Sequence, residues 1–218
     1  MNKLVIIGGH GNGTVISSTV EDINTVKPTW EIIGFINDGD CEDINGYRVL
    51  GCIEQNVIDE LLCDPEIYFY WSLISVKFNH KFIHNLERLN IPLERFATIV
   101  HPMAVVSSTA SLGSGVSVQP FVNIGPNVKI GNHIHIFAQA MIGHGAVLDD
   151  YSYVANNACV GANVKMKKGA YIGTNATTIE NICLGEWSLT GIGSVVIRNV
   201  EDYCTVVGNP ASVIKSKY

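Results

Sequence analysis

Two spacings of hydrophobic residues divide the chain near residue 97. Before that point, apolar runs such as KLVIIG, WEIIGFIND and EIYFYWSLI alternate with segments such as IEQNVIDELL and FNHKFIHNLERLN. The continuous runs predict buried strands, and apolar residues three and four positions apart predict helices. The alternation predicts a small Rossmann-like parallel βαβ domain over residues 1–97, with its ligands at the C-terminal ends of the strands.

From about residue 103 the hydrophobic pattern repeats every six residues. Sixteen positions from Val106 to Val196 follow this spacing, and fourteen of them are aliphatic, the exceptions being Thr178 and Thr190. A hexapeptide period predicts a parallel β-helix in which three hexapeptides form one triangular coil. Residues eighteen apart then stack at about 4.8 Å, the ordinary strand spacing. We therefore expect a β-helix domain over residues 98–218, with five coils between Val106 and Val196.

Charge and composition narrow the class of partner. The 218 residues carry a formal charge of −6, which argues against a nucleic-acid surface. No apolar run approaches the ~20 residues of a membrane span. The six cysteines form no C-x-x-C pair and no charged-then-apolar leader precedes them, so we expect a reduced, cytoplasmic protein. Small molecules or further copies of the chain are the expected partners.

The two halves together resemble a known family. The segments GGHG, GFIND, VHPMAVVSSTASLG and GNPA occur in the order seen in the sialic acid O-acetyltransferase and bacillosamine N-acetyltransferase group of hexapeptide-repeat acyltransferases. This resemblance covers nearly the whole chain. It implies a left-handed β-helix, a homotrimer with active sites between subunits, and acyl transfer from coenzyme A to a sugar, often a nucleotide-linked amino sugar.

The strongest candidate for a catalytic residue is His144. It lies two positions after the inward-facing Ile142, so it should point outward near a corner of the coil. A lone outward histidine is usually only solvated, but the resemblance implies that His144 is the general base. The resemblance also implies that the main-chain N–H of Ala162, eighteen residues later, binds the thioester oxygen.

The acyl-CoA contacts that the resemblance implies are Tyr153, Ala162 and Thr174. Tyr153 also belongs to a set of residues eighteen apart, with His135 and Tyr171, that predicts an outward aromatic column. A packed subunit surface explains such a column at least as well as a coenzyme A contact does.

Three positions near His144 differ from the bacillosamine enzyme that the chain resembles. That enzyme has a carboxylate at the position of Gly145, a second histidine at that of Tyr153 and an asparagine at that of Phe137. Without a carboxylate partner the imidazole tautomer is less fixed, and His144 should contribute toward the low end of the ~10²–10⁴-fold expected of a general base. A second interpretation is that these three substitutions remove polar side chains to accommodate a different acyl chain of the donor.

A metal site is the main competing interpretation of the histidines. His133, His135 and His144 resemble a cluster in the sequence. The first two lie on one stretch of wall and His144 in the next hexapeptide, hence on another face, and no acidic residue is placed to support a ligand. We therefore expect no bound metal.

The front domain carries the candidate nucleotide site. The segment GGHGNG lacks the G-x-G-x-x-G spacing of a dinucleotide fingerprint, so a tight strand-to-helix turn and a nucleotide contact both remain interpretations of its glycines. Asp38 can accept hydrogen bonds from a base N–H or a ribose hydroxyl, or serve as a turn residue. By resemblance, the nucleotide-sugar ligands are Gly8, Gly9, His10, Asn37 and Asp38, with Ser75 as a looser candidate.

The sequence therefore predicts an acyl-CoA-dependent N-acyltransferase that acts on a nucleotide-linked 4-amino-4,6-dideoxysugar. Acyl-CoA would be a co-substrate, with no permanently bound cofactor. Two alternatives remain at this stage. One is an O-acetyltransferase of the sialic acid type, and the other is a non-catalytic nucleotide-sugar-binding scaffold that kept the fold and lost the support of its base.

Overall fold

The structure is a computed structural model that describes residues 1–39, 42–74 and 79–216. The chain divides into two compact units, Met1–Pro102 and Met103–Tyr218. The front unit extends a few residues beyond the expected boundary at residue 97. The reason is that Ile99 belongs to the same buried cluster as Leu4 and Val20.

The front unit is a twisted sheet with helices, as the alternating pattern predicts. Its sheet has the strand order β3-β4-β2-β1-β5, in which β1 pairs in parallel with both β2 and β5. The strands are β1 (Asn2–Ile7), β2 (Trp30–Ile36), β3 (Asp43–Ile44), β4 (Tyr47–Gly51) and β5 (Ile67–Trp71). The helices are α1 (Asn12–Val26), α2 (Gln55–Leu62) and α3 (Asn79–Arg88), followed by a 3₁₀ turn (Leu93–Arg95) and β6 (Ile99–Val100). No helix in the described ranges is long and apolar enough to cross a bilayer.

The β3–β4 pair is an element that the hydrophobic pattern did not predict. Its two strands are antiparallel and are joined by Asn45 and Gly46, with φ of 53° and 79°. Asn-Gly is the preferred dipeptide for a two-residue turn with both residues at positive φ. The local turn chemistry therefore explains a hairpin whose strands are too short for a periodicity signal.

The second unit is a three-sided parallel β-helix built from two-residue strands. Its first face contains β7 (Val105–Val106), β10 (Asn123–Ile124), β13 (Met141–Ile142), β16 (Cys159–Val160), β19 (Thr177–Thr178) and β22 (Val195–Val196). Its second face contains β8 (Ser111–Leu112), β11 (Lys129–Ile130), β14 (Val147–Leu148), β17 (Lys165–Met166) and β20 (Cys183–Leu184). Its third face contains β9 (Ser117–Val118), β12 (His135–Ile136), β15 (Tyr153–Val154), β18 (Tyr171–Ile172), β21 (Leu189–Thr190), β23 (Thr205–Gly208) and the antiparallel β24 (Ala211–Lys215).

The register of the coils confirms the stacking expected from the hexapeptide period. Ile124 pairs with Ile142, and Ile142 with Val160, which are steps of eighteen residues. The second residue of each of these strands points inward and is buried. Many corners are completed by a residue at positive φ, and these residues recur at multiples of six along the chain. The period of six thus arises from one inward aliphatic and one tight corner per wall.

Candidate active site

His144 lies in the corner Gly143–Ala146, between β13 and β14, and is exposed. Its main-chain carbonyl accepts a 2.9 Å hydrogen bond from the N–H of Asn163 in the next coil, which fixes the backbone beneath the imidazole. No side chain in the described ranges hydrogen-bonds to the ring. The backbone of His144 is therefore fixed, while its imidazole ring is accessible to a ligand.

The N–H of Ala162 lies directly one coil further along from His144. A Cβ atom on Gly143 would lie 2.6 Å from the Ala162 nitrogen, so glycine is what allows the two corners to stack this closely. At another corner of the prism, the matching N–H of Asn132 donates to Asp150 Oδ1 at 2.7 Å. Across residues 1–39, 42–74 and 79–216, no acceptor takes the N–H of Ala162. The arrangement provides a proton acceptor and a free main-chain donor on adjacent coils.

Gly145 has φ of 69°, in the left-handed region that favours glycine. A side chain at this position would also collide with Oδ1 of Asn163. A carboxylate at this position, as in the resembling enzyme, would require the Asn163 amide to turn away. In this chain, the Asn163 amide occupies the space in which a side chain of residue 145 would lie.

The predicted aromatic column is present on the third face. The rings of Tyr153 and Tyr171 stack with centroids 4.6 Å apart, and His135 lies 6.5 Å from Tyr153. Phe137 packs on Tyr153 with ring centroids 4.9 Å apart. Burial raises the pKa of the Tyr153 phenol, so this group stays protonated at neutral pH. Tyr153 and Phe137, which stand where the resembling enzyme has a histidine and an asparagine, thus pack against each other.

The two other histidines of this region are unsuited to act as the base. Burial lowers the pKa of His135 to about 3 and that of His133 to about 4, which makes both imidazoles weak bases. His133 stacks on Tyr151 at 5.4 Å. In the described part of the chain, no three His, Cys, Asp or Glu side chains lie close enough to hold a metal ion.

One chain does not bring all of the expected acyl-CoA contacts together. Ala162 follows β16, Thr174 lies at a different corner between β18 and β19, and Tyr153 lies on the wall of the third face. Thr174 is half-buried, and its carbonyl accepts a hydrogen bond from the N–H of Gly193 at 2.9 Å.

In the front unit, the glycine loop lies against the ends of the central strands. A Cβ on Gly8 would collide with the Ser72 hydroxyl, and one on Gly9 would lie 2.9 Å from Asn37 Oδ1. The glycines therefore permit close packing of the loop on the residues after β5 and β2. His10 is exposed in the same loop, and Ser75 lies outside the described residues.

A cavity of about 420 Å³ opens beside Asp38, at the C-terminal ends of β2 and β5. This is the edge of a parallel sheet where ligands are expected. Its volume falls in the range of small-molecule sites, about 300–1,000 Å³. Asp38 Oδ1 also accepts a 2.7 Å hydrogen bond from the N–H of Ile53, which ties the two loops of this edge together. The residues that define its character are Asp38, Glu54, Trp71, Lys81, Asn85 and Arg88.

Of the nucleotide ligands expected from the sequence, Asp38 lines this cavity, whereas Gly8, Gly9, His10 and Asn37 are not among its lining residues. The basic and amide side chains of α3 were missed. Lys81, Asn85 and Arg88 follow the spacing i, i+4, i+7, which places them on one helix face. This polar spacing is present in the sequence beside the apolar spacing that predicts the helix.

The architecture is an α/β domain followed by a left-handed β-helix, and this confirms the predicted fold. The sequence matches no protein-family model and no curated protein.

Three solved structures share the fold over nearly the whole chain. The acetyltransferase domain of PglB from Neisseria gonorrhoeae FA1090, in complex with acetyl coenzyme A, is 24% identical with a TM-score of 0.85, and the match covers 98% of this chain and 99% of that one. WeeI from Acinetobacter baumannii AYE is 24% identical with a TM-score of 0.80 and coverages of 97% and 100%. A mutant of perosamine N-acetyltransferase from Caulobacter crescentus, in complex with CoA and GDP-perosamine, is 22% identical with a TM-score of 0.74 and coverages of 99% and 98%.

Proposed function

We propose that the protein is an acyl-CoA-dependent N-acyltransferase acting on the amino group of a nucleotide-linked 4-amino-4,6-dideoxysugar, in the biosynthesis of a cell-surface polysaccharide or glycan. The observation that carries this proposal is the exposed imidazole of His144 one coil from the N–H of Ala162, for which the described residues provide no acceptor. Two proteins of the same fold support it, since one was solved with acetyl coenzyme A and another with CoA and GDP-perosamine.

The proposed reaction needs no covalent enzyme intermediate. The sugar amine attacks the thioester carbonyl and forms the C–N bond, while His144 removes a proton from the amine. The carbonyl oxygen becomes an oxyanion that accepts a hydrogen bond from the Ala162 N–H. When the C–S bond breaks, the coenzyme A thiolate leaves and takes the proton back from the imidazolium. Each substrate has a long non-reacting part that anchors it, so positioning supplies much of the acceleration.

The cavity of the front unit is the proposed site of the nucleotide. Its two cations, Lys81 and Arg88, are both on α3, whereas its carboxylates, Asp38 and Glu54, are on the opposing loops. A nucleoside diphosphate matches this separation of cations from carboxylates. Its phosphates bind cations, and its hydroxyl and base N–H groups donate hydrogen bonds to carboxylates. The ring of Trp71 adds an apolar wall.

The acceptor atom is expected to be nitrogen. A sugar hydroxyl is hardly ever deprotonated near neutral pH and needs a strong, well-oriented base, whereas a partly neutral amine is already nucleophilic. His144 has no carboxylate partner, which an amine tolerates better. Thiol release from acetyl-CoA and from longer, branched acyl-CoAs should be about tenfold faster or more with a nucleotide-sugar bearing an amine at C4 than with its C4-hydroxyl match.

Equal or faster turnover of the hydroxyl sugar would assign the protein to the O-acyltransferases. Turnover of the amine only with a bulky acyl donor would keep the reaction and change the donor. Nucleotide-sugar binding without thiol release from any donor would identify a scaffold.

We further propose a homotrimer. Large apolar side chains are exposed on and beside the first face of the prism, including Val105 at 62%, Phe121 at 55% and Met141 at 47% of their full exposure. Self-association is an efficient way to cover such a surface. Sedimentation equilibrium at micromolar concentration should give three times the chain mass of 23.7 kDa. Met141→Glu should lower that mass, and a wild-type mass of a single chain would contradict the trimer.

The cytoplasm is the proposed compartment. The described cysteines Cys52, Cys63, Cys159, Cys183 and Cys204 are all free thiols. Free cysteines are typical of a reducing compartment, which suits an enzyme that uses acyl-CoA and a nucleotide-sugar.

A further inference from the structure

The corner that carries His144 has an asparagine column with one gap. Positions eighteen apart at the matching corners are Asn127, Gly145, Asn163 and Asn181, and all four adopt positive φ between 54° and 69°. Asn163 Nδ2 donates to Asn181 Oδ1 at 3.1 Å, so neighbouring amides of the column pair with each other. At Gly145 the column lacks an amide, directly after the histidine.

Within the described residues, the gap leaves the amide oxygen of Asn163 without a hydrogen-bond donor. Because its Nδ2 is committed to Asn181, its Oδ1 faces the other way, into the space where a side chain of residue 145 would lie. None of the described residues donates to this oxygen. The main-chain N–H of Asn163 holds the carbonyl of His144 at 2.9 Å, which keeps the two residues in fixed relation.

An exposed imidazole needs a hydrogen-bond acceptor to hold a single tautomer. In a neutral imidazole one ring nitrogen carries the proton and the other is the base, and the hydrogen bond made by the first selects the tautomer. We propose that Asn163 is the positioning residue of His144: when the exposed imidazole turns toward Asn163, the ring N–H that faces away from the substrate donates a hydrogen bond to its Oδ1. This proposal rests on the proposed function of His144. A neutral amide orients the ring without adding a charge, which suits an amine acceptor.

Asn163→Ala should lower kcat about tenfold and leave both KM values within about twofold, since the loss concerns the orientation of the base. Asn163→Asp should keep kcat near the wild-type value and move the acid limb of the kcat–pH profile to higher pH, because a carboxylate stabilises the protonated imidazole. Asn127→Ala is the matched control. It removes an exposed amide at the same corner on the other side of the gap, and kcat should stay within twofold.

A second pair of variants uses the shared space. Gly145→Glu alone should lower kcat about as much as Asn163→Ala, because its side chain displaces the Asn163 amide oxygen from the space it occupies. In the Asn163→Gly background the collision is absent, so Gly145→Glu should raise kcat above that of Asn163→Gly. Corners of this prism accept large residues at positive φ, such as Tyr151 and Trp187, so the backbone permits the change.

The ¹⁵N chemical shifts of the His144 ring give a readout that needs no activity. One tautomer should dominate in the wild type, and a mixture should appear in Asn163→Ala. A wild-type mixture, unchanged kcat in Asn163→Ala, or a raised KM for acyl-CoA with unchanged kcat would each overturn the positioning role while leaving the proposed function intact. A fixed tautomer in a protein that transfers no acyl group would instead overturn the proposed function alone.

Discussion

His144→Ala is expected to lower kcat by about 10²-fold or more while both KM values change little. Proton removal matters mainly in the transition state, so loss of the base should appear in kcat and not in ground-state binding. Steady-state kinetics with the C4-amino nucleotide-sugar and acyl-CoA measure this directly. His144 is exposed and its ring has no hydrogen-bond partner in the described ranges, so the alanine variant should fold and assemble as the wild type does.

The matched control is His84→Ala. His84 is also exposed, but it is on α3 and is not among the residues lining the cavity. Its replacement should leave kcat unchanged. A kcat of His144→Ala within about threefold of the wild type would show that water or a substrate phosphate removes the proton.

The double variant Lys81→Ala/Arg88→Ala is expected to raise the KM for the nucleotide-sugar about 10²-fold and to leave that for acyl-CoA nearly unchanged. Each cation should contribute about a factor of ten through a charge-assisted contact to phosphate in a half-open cavity. Only the KM for the nucleotide-sugar should change, because the proposal assigns the two substrates to different units of the chain.

Replacing Lys81 and Arg88 tests the nucleotide site more directly than replacing Asp38, which also has a structural role. Asp38→Ala should also raise the KM for the nucleotide-sugar, but it removes the acceptor of the Ile53 N–H and so loosens the loop as well. Lys27→Ala, an exposed lysine just after α1, is the charge-matched control and should change neither KM. Parallel increases in both KM values would contradict separate sites. An unchanged KM for the nucleotide-sugar would show that the diphosphate does not bind in this cavity.

The β-helix could be predicted from the sequence because its rule is local and repeated. Nearly every wall has an inward aliphatic such as Ile142, and stacked corners need a residue such as Gly143 where the next backbone approaches within contact. A requirement that recurs every six residues is visible without knowing any long-range contact. For the same reason the eighteen-residue step predicted that His144 and Ala162 would be neighbours.

The front domain was predictable only in outline. Buried runs such as LVII specified its strands, but the β3–β4 hairpin depends on one Asn-Gly turn and has no periodicity. The cavity combines Asp38 from one strand end with Lys81 and Arg88 from a helix more than forty residues later. No short-range pattern relates such positions, because they meet only when the sheet is assembled.

The amino-acid sequence by itself determined the two-part architecture, the coil register and the corner on which His144 lies. The tertiary structure decided which groups surround these positions: the Ala162 N–H beside the Gly143 corner, the Asn163 amide in the space of Gly145 and the cations of α3 beside Asp38. Periodicity states which residues face inward and which stack. The direction of a side-chain amide and the sharing of a cavity depend on packing between segments distant in the chain, which only the folded molecule defines.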